Sequence, residues 1–106
     1  MPPIGHAVRI TVLKKLSAED IYGHRLPEMA DDVPTFCERM EVGQEFVMEG
    51  TGVMPVGFCT WAWHDIYPEI TTLRFGGNFP WVKKEGLIYA CCSDAMRPVF
   101  FKLERI

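Results

Sequence analysis

The chain lacks the features that mark several large classes of protein. No apolar run approaches the roughly 18 residues that would indicate a membrane span. The N-terminal segment also lacks the basic start and following apolar stretch that would indicate a secretory signal. Basic residues are scattered, with 11 Lys and Arg against 14 Asp and Glu, so the concentrated positive face typical of nucleic-acid binding is missing. We therefore expect a cytoplasmic protein that binds neither membranes nor nucleic acids.

Several well-known site motifs are absent as well. The sequence contains no C-x-x-C knuckle, no H-E-x-x-H and no Gly-rich phosphate loop. The Gly-Gly-Asn segment at 76–78 therefore predicts a turn that ends a helix, not a phosphate site. Because no acid–base set is recognisable either, the sequence leaves open whether the protein is an enzyme.

Two helices are predicted from apolar spacing and capping residues. A short helix over 18–24 is expected to begin at Ser17, whose side chain suits a capping box with Asp20. The main helix is expected over 57–75, where apolar residues recur at spacings of four, four and three. Pro68 lies inside this segment and removes an amide donor, so we expect a kink or two shorter helices.

Strands are predicted where apolar residues alternate or where short apolar runs are bounded by turns. The predicted strands are 7–16, 40–49, 87–92 and 99–105. The second of them is expected to bend or to form a hairpin at a Val-Gly turn. We therefore expect residues 1–106 to form a single α+β domain with a small, mostly antiparallel sheet of about four strands and one main helix.

Four cysteines are the most distinctive chemical feature of the chain. Cys91 and Cys92 are adjacent, whereas Cys37 and Cys59 lie far upstream. On a strand over 87–92 the two neighbours point to opposite faces, so one is expected in the core and the other outside it. Structural disulfides are not expected, because the cytoplasm keeps thiols reduced.

Cys59 is the cysteine whose position most favours reactivity. It lies just before the apolar stripe of the main helix begins, and the amides at a helix N-terminus favour the thiolate, which attacks electrophiles and binds metals. Its neighbours Phe58 and Trp61 are equally consistent with a small, inert, buried side chain.

A shared metal site is the most specific hypothesis for the thiols. Zinc or an iron–sulfur cluster would be held by the four cysteines: Cys37, Cys59, Cys91 and Cys92. His24 or His64 would serve as a spare ligand. The gaps of 22 and 32 residues between the first three cysteines match no standard zinc spacing. Inert packing, metal binding and thiol redox chemistry therefore all stay open.

Two polar pairs near the cysteines have competing interpretations. Arg97 would stabilise a Cys92 thiolate or bind an anion, unless Asp94 and Arg97 merely form a turn. His64 and Asp65 would be an acid–base pair, but adjacent helical residues diverge, which favours a solvated face.

Aromatic residues crowd the main helix and the segment after it. Trp61, Trp63 and Tyr67 cannot all be hidden if the helix packs on a small sheet. Those left exposed would mark a ligand pocket or an interface, either with a protein partner or within a homodimer.

Three motifs are distinctive enough to be compared with known families. They are G-F-C-x-W-A-W at 57–63, G-G-N-F at 76–79 and C-C-x-D-x-x-R-P-V at 91–99. Together they resemble a family of short bacterial and archaeal proteins known as an uncharacterised repeat-protein family. The chain departs from that pattern at Ala95, where the family usually has glycine. The resemblance implies no activity; it implies that all four cysteines share a role and that such units pack on one another.

The sequence thus supports two hypotheses of function. The first is a small cytoplasmic protein that uses its cysteines to hold a metal or iron–sulfur cluster, or to cycle between thiol and disulfide, as an accessory to a larger enzyme. The second is a non-catalytic interaction module that packs its aromatic helix against a partner, with the cysteines merely buried.

Overall fold

A four-stranded antiparallel sheet carries one long helix on one of its faces. The computed structural model describes residues 5–106, so residues 1–4 of the predicted domain 1–106 lie outside the described residues. The elements are, in chain order, β1 (Val8–Lys15), α1 (Ala18–Tyr22), β2 (Glu45–Met48), α2 (Thr60–Arg74), β3 (Leu87–Cys91) and β4 (Val99–Arg105). The strand order is β2-β1-β4-β3, and each neighbouring pair is antiparallel. The predicted α+β class is therefore confirmed.

The core lies between α2 and the inward face of the sheet. Alternate residues of the two central strands are buried there: Val8, Ile10 and Val12 of β1, and Val99, Phe101 and Leu103 of β4. The predicted apolar stripe of α2 packs against them: Ala62, Ile66, Ile70 and Leu73. Each large side chain buried in this way contributes about 1.5–3 kcal/mol to folding.

The predicted main helix is shorter and more regular than its sequence indicates. It begins at Thr60 and not at residue 57, because Gly57 has a left-handed φ of 84° that a helix cannot include. It continues through Pro68 as one α-helix, so of the two expected alternatives, a kink or two shorter helices, the second does not occur. The carbonyl that Pro68 leaves without a donor belongs to His64, on the exposed side of α2, where water can satisfy it.

The short helix begins as predicted from its capping residues, whereas the second strand is shorter than predicted. α1 has the predicted capping box: the Asp20 amide donates to Ser17 Oγ at 3.0 Å, and the Ser17 amide donates to Asp20 Oδ2 at 2.9 Å. The strand predicted over 40–49 is reduced to the four residues of β2. The predicted Val-Gly turn is present in the first half of that segment, where Gly43 has a φ of 90° and donates to the Val12 carbonyl at 2.8 Å.

The Gly-Gly-Asn segment ends α2, as predicted. Gly76, with a φ of 86°, donates to the Leu73 carbonyl at 3.1 Å, and Gly77 donates to the Thr72 carbonyl at 2.8 Å. These two bonds make up a Schellman motif. A Cβ atom on Gly77 would lie 2.8 Å from Thr72 Cγ2, so no larger residue fits there without movement.

Arg105, at the end of β4, joins this helix end to the sheet. Its guanidinium donates to the carbonyls of Leu73 at 3.2 Å and Gly77 at 2.7 Å, and to Asn78 Oδ1 at 2.9 Å. Asn78 Oδ1 also accepts the Gly86 amide at 2.7 Å. The segment therefore has a structural role.

No helix within residues 5–106 is long and apolar enough to cross a bilayer.

Replacement of Arg105 by Met is expected to lower the free energy of unfolding by about 2 kcal/mol, because charged hydrogen bonds to the carbonyls at the end of α2 are lost. Arg9→Met is the matched control: the ion pair of Arg9 with Glu104, at 3.5 Å, lies at the surface, and its loss should cost less than about 1 kcal/mol. Urea denaturation measures both values. Equal losses in the two variants would contradict this role of Arg105.

Candidate functional site

Three of the four cysteines line one cavity at the N-terminal end of α2. The cavity measures about 610 Å³ and is bounded by the start of α2, the segment around Cys37 and the loop between β3 and β4. Cys92 is in the core with 9% of its surface exposed, whereas Cys37 and Cys59 are half-buried and pack against that core. We call this space the thiol cavity.

Cys91 lies outside the thiol cavity, on the opposite side of the sheet. Successive side chains of β3 alternate between faces, so Cys91 is exposed beside Tyr89 while Cys92 is buried. The prediction that the adjacent cysteines diverge is confirmed. As a consequence the predicted ligands Cys37, Cys59, Cys91 and Cys92 are not brought together as one set.

No alternative ligand group replaces that set. Within residues 5–106, no three His, Cys, Asp or Glu side chains are grouped so that they could hold a metal ion. The two histidines considered as spare ligands do not line the thiol cavity. The His64 side chain is 91% exposed, and His24 is an exposed residue whose Nδ1 lies 3.0 Å from the Arg25 carbonyl oxygen. Binding of zinc or an iron–sulfur cluster stays a prediction.

Burial raises the pKa of the Cys92 thiol above its ordinary value, because the thiolate would lose hydration. The Val99 amide donates to Cys92 Sγ at 3.3 Å, and this bond and the Asp94 amide oppose the effect without cancelling it. The Asp94 carboxylate and Cys37 each raise the pKa of Cys92 further. Cys92 is therefore protonated at neutral pH, and Cys37 is close enough to affect it electrostatically.

Cys37 is placed at the cavity by a residue that sequence reasoning missed. It lies in the irregular chain between α1 and β2. Lys15, the last residue of β1, donates to the carbonyl oxygens of Cys37 and Met40, each at 2.8 Å. Met40 is buried in the core, so this part of the chain is anchored beside Cys37. A lysine in a basic doublet has no local feature that distinguishes this role from that of a surface charge.

Cys59 occupies the N-cap position of α2, so its predicted place beside a helix N-terminus is confirmed. Its carbonyl accepts the Trp63 amide at 2.9 Å, but its side chain makes no capping hydrogen bond. The amides of the first turn of α2 thus receive no acceptor from the N-cap side chain, which leaves the positive end of the helix dipole uncompensated at this edge of the cavity.

Charged side chains line the thiol cavity beside the cysteines. Asp94 accepts the amides of Met96 at 3.0 Å and Arg97 at 3.3 Å, which confirms the turn interpretation of this segment. Arg97 Nε lies 3.8 Å from Asp94 Oδ2. Stabilisation of a Cys92 thiolate by Arg97 is not supported, since the pKa of Cys92 is raised and not lowered. Arg39 lines the same cavity and is exposed.

Trp61 and Asp65 of α2 hold the loop that follows Cys92. Trp61 Nε1 donates to Ser93 Oγ at 2.8 Å, and the Ser93 amide donates to Asp65 Oδ2 at 2.7 Å. Asp65 is therefore used for positioning, while His64 lies on the solvated face, as its helical position predicts. These contacts keep the β3–β4 loop against the start of α2 and so maintain the cavity wall.

Alkylation by iodoacetamide should modify Cys91 first and Cys92 last. Cys91 is exposed, whereas Cys92 is buried and its raised pKa leaves little thiolate at neutral pH. The rate at Cys92 should keep rising at pH values above the usual thiol range. Peptide mass spectrometry after timed quenching measures the order, and protein unfolded in urea is the control in which the difference should disappear. Equal rates in the folded protein at neutral pH would contradict the burial of Cys92.

Comparison with known proteins leaves the function to be argued from this cavity. A scan against protein-family models found no match, and neither did searches of curated proteins and of solved structures. The resemblance of the three motifs to the uncharacterised repeat-protein family therefore stays a prediction.

Proposed function

We propose that the protein is a thiol–disulfide redox protein in which Cys37 and Cys92 interconvert between a dithiol and a disulfide. The observation that carries the proposal is that both thiols line one cavity and that Cys37 is close enough to raise the pKa of Cys92. The four cysteines form no disulfide in this structure.

Within the proposed pair, Cys37 is the thiol that attacks first, because Cys92 is buried and protonated at neutral pH. Its thiolate attacks one sulfur of a disulfide RS–SR, the S–S bond breaks, and a mixed disulfide forms while RS⁻ leaves. Cys92 then gives up its proton and attacks the sulfur of Cys37, which expels the second RS⁻. Both leaving thiolates take up a proton. Two electrons and two protons thus pass from the protein to the small disulfide.

The surroundings of the two thiols suit this cycle. Cys37 lies in chain without helix or strand and lines the same cavity as Cys92. Cys92 Sγ accepts the Val99 amide, which favours the thiolate that must form during the second step. Re-reduction of the disulfide requires the reducing conditions of the cytoplasm, the compartment expected from the sequence.

Oxidation of the reduced protein with glutathione disulfide should produce a peptide pair linked through Cys37 and Cys92, detected by mass spectrometry without reduction. Cys37→Ser and Cys92→Ala should each abolish this linked peptide pair. Alanine is chosen at position 92 because that site is buried and apolar. Cys91→Ser is the matched control, since it changes the adjacent cysteine on the other face of β3. A link through Cys59 or Cys91, or mixed disulfides that never resolve, would overturn the proposed pair.

Metal binding by the cysteines is less well supported than this redox pair. A zinc or iron–sulfur site needs three or four thiolates directed at one point, and Cys91 is on the far side of the sheet. His24 and His64, the other ligands considered, do not line the thiol cavity.

A second candidate function, that of an interaction module, is favoured by one observation. Trp61 and Tyr67 on α2 expose 63% and 40% of their surface, although large aromatic side chains gain most from burial. A second copy of this chain is the partner that we propose for the side of α2 that carries Tyr67, in keeping with the predicted homodimer.

Sedimentation over a concentration series should then show a dimer that Tyr67→Ser weakens. Tyr89→Ser is the matched control, because Tyr89 is exposed on the opposite face of the sheet and should leave association unchanged. A monomer at every concentration would exclude this candidate function and would leave the redox proposal unaffected.

A further inference from the structure

Basic side chains outnumber acidic ones around the thiol cavity, although the protein as a whole has a net charge of −3. Arg39 and Arg97 line the cavity, and Asp94 is the one acidic residue among the described residues that do so. The Asp94 carboxylate is already engaged by two backbone amides and lies 3.8 Å from Arg97. The side chains that line the cavity therefore include one more positive than negative charge, whereas the chain as a whole is negative.

Arg39 is the group most available to an incoming molecule. It is exposed, follows Cys37 by two positions and makes no hydrogen bond or ion pair with another residue in the described part of the chain. A guanidinium binds a carboxylate through two parallel hydrogen bonds, which fixes the orientation of the bound group as well as attracting it. An acid bound at Arg39 would thus be held near the thiol that we propose to attack first.

We propose that the thiol cavity selects low-molecular-weight disulfides that carry carboxylate groups. The inference rests on the proposed redox function of Cys37 and Cys92 and adds the class of their substrate. A volume of about 610 Å³ is in the range of sites that hold small organic ligands. The uncapped first turn of α2 adds a partial positive charge at the same edge of the cavity.

The carboxylates take no part in the bond changes. Cys37 still attacks one sulfur of the bound disulfide, and Cys92 still resolves the mixed disulfide, so two thiols of the acid are released for each protein disulfide formed. Arg39 is a positioning residue: it raises the local concentration of the anion and orients its S–S bond towards Cys37. Its effect should therefore depend on the charge of the substrate and on ionic strength.

The test is a charge series of three disulfides: glutathione disulfide, which is negative, bis(2-hydroxyethyl) disulfide, which is neutral, and cystamine, which is positive. Closure of the Cys37–Cys92 bond is followed by acid quenching, alkylation and mass spectrometry, and each rate is divided by the rate of the same disulfide with 2-mercaptoethanol. At low salt the corrected rate with glutathione disulfide should exceed that with cystamine by about tenfold or more. Added salt should bring the ratio towards one.

Arg39→Gln should reduce that ratio by about threefold to tenfold and leave the neutral disulfide unaffected. Lys84→Gln is the matched control, because it removes one positive charge from an exposed position outside the thiol cavity. Equal corrected rates for the three disulfides, or an Arg39→Gln variant slowed equally with all three, would overturn the anion selectivity while leaving the redox function intact. Failure of all three to close the Cys37–Cys92 bond would instead overturn the proposed function and with it the substrate class.

Discussion

The alternation of side chains along β3 is the constraint on which the candidate site depends. Because neighbouring residues of a strand face opposite ways, only one member of the Cys91–Cys92 pair can enter the core. The member that does so, Cys92, lies beneath the start of α2 and is bonded to Val99 at both its amide and its sulfur. Its burial sets its protonation state and therefore decides which thiol can react first.

The thiol cavity is assembled from parts that are distant in sequence. The start of α2 supplies Cys59, the β3–β4 loop follows Cys92, and Lys15 holds the segment of Cys37 across 22 positions of the chain. Each part is fixed by its own contacts: the Trp61–Ser93 bond for the loop and the Lys15 bonds for the segment. The site can therefore keep its geometry although one of its walls has no regular secondary structure.

Most of the fold was predictable because its signals are local. The capping box of Ser17, the apolar stripe of α2 and the glycines that end it each depend on residues within a few positions. The predicted bounds were less accurate where tertiary contacts decide the outcome: the predicted turn at Val42 and Gly43 is bonded to β1 and leaves only four residues in β2, and α2 begins at Thr60. The divergence of the two adjacent cysteines could be predicted, but the convergence of the other three could not, since no local pattern reports contacts across the chain.

The positions of the four cysteines bear on the two kinds of chemistry that they suggest. A metal site needs three or four thiolates directed at one point, whereas Cys91 lies on the other face of the sheet from Cys92. In thiol–disulfide exchange the second thiol needs to ionise only after the first thiol has formed a mixed disulfide. Until then protonation protects the second thiol from oxidants in solution. In the redox cycle that we propose, the burial of Cys92 and the half-buried position of Cys37 divide the work between two thiols: the accessible one meets the substrate, and the protected one completes the exchange.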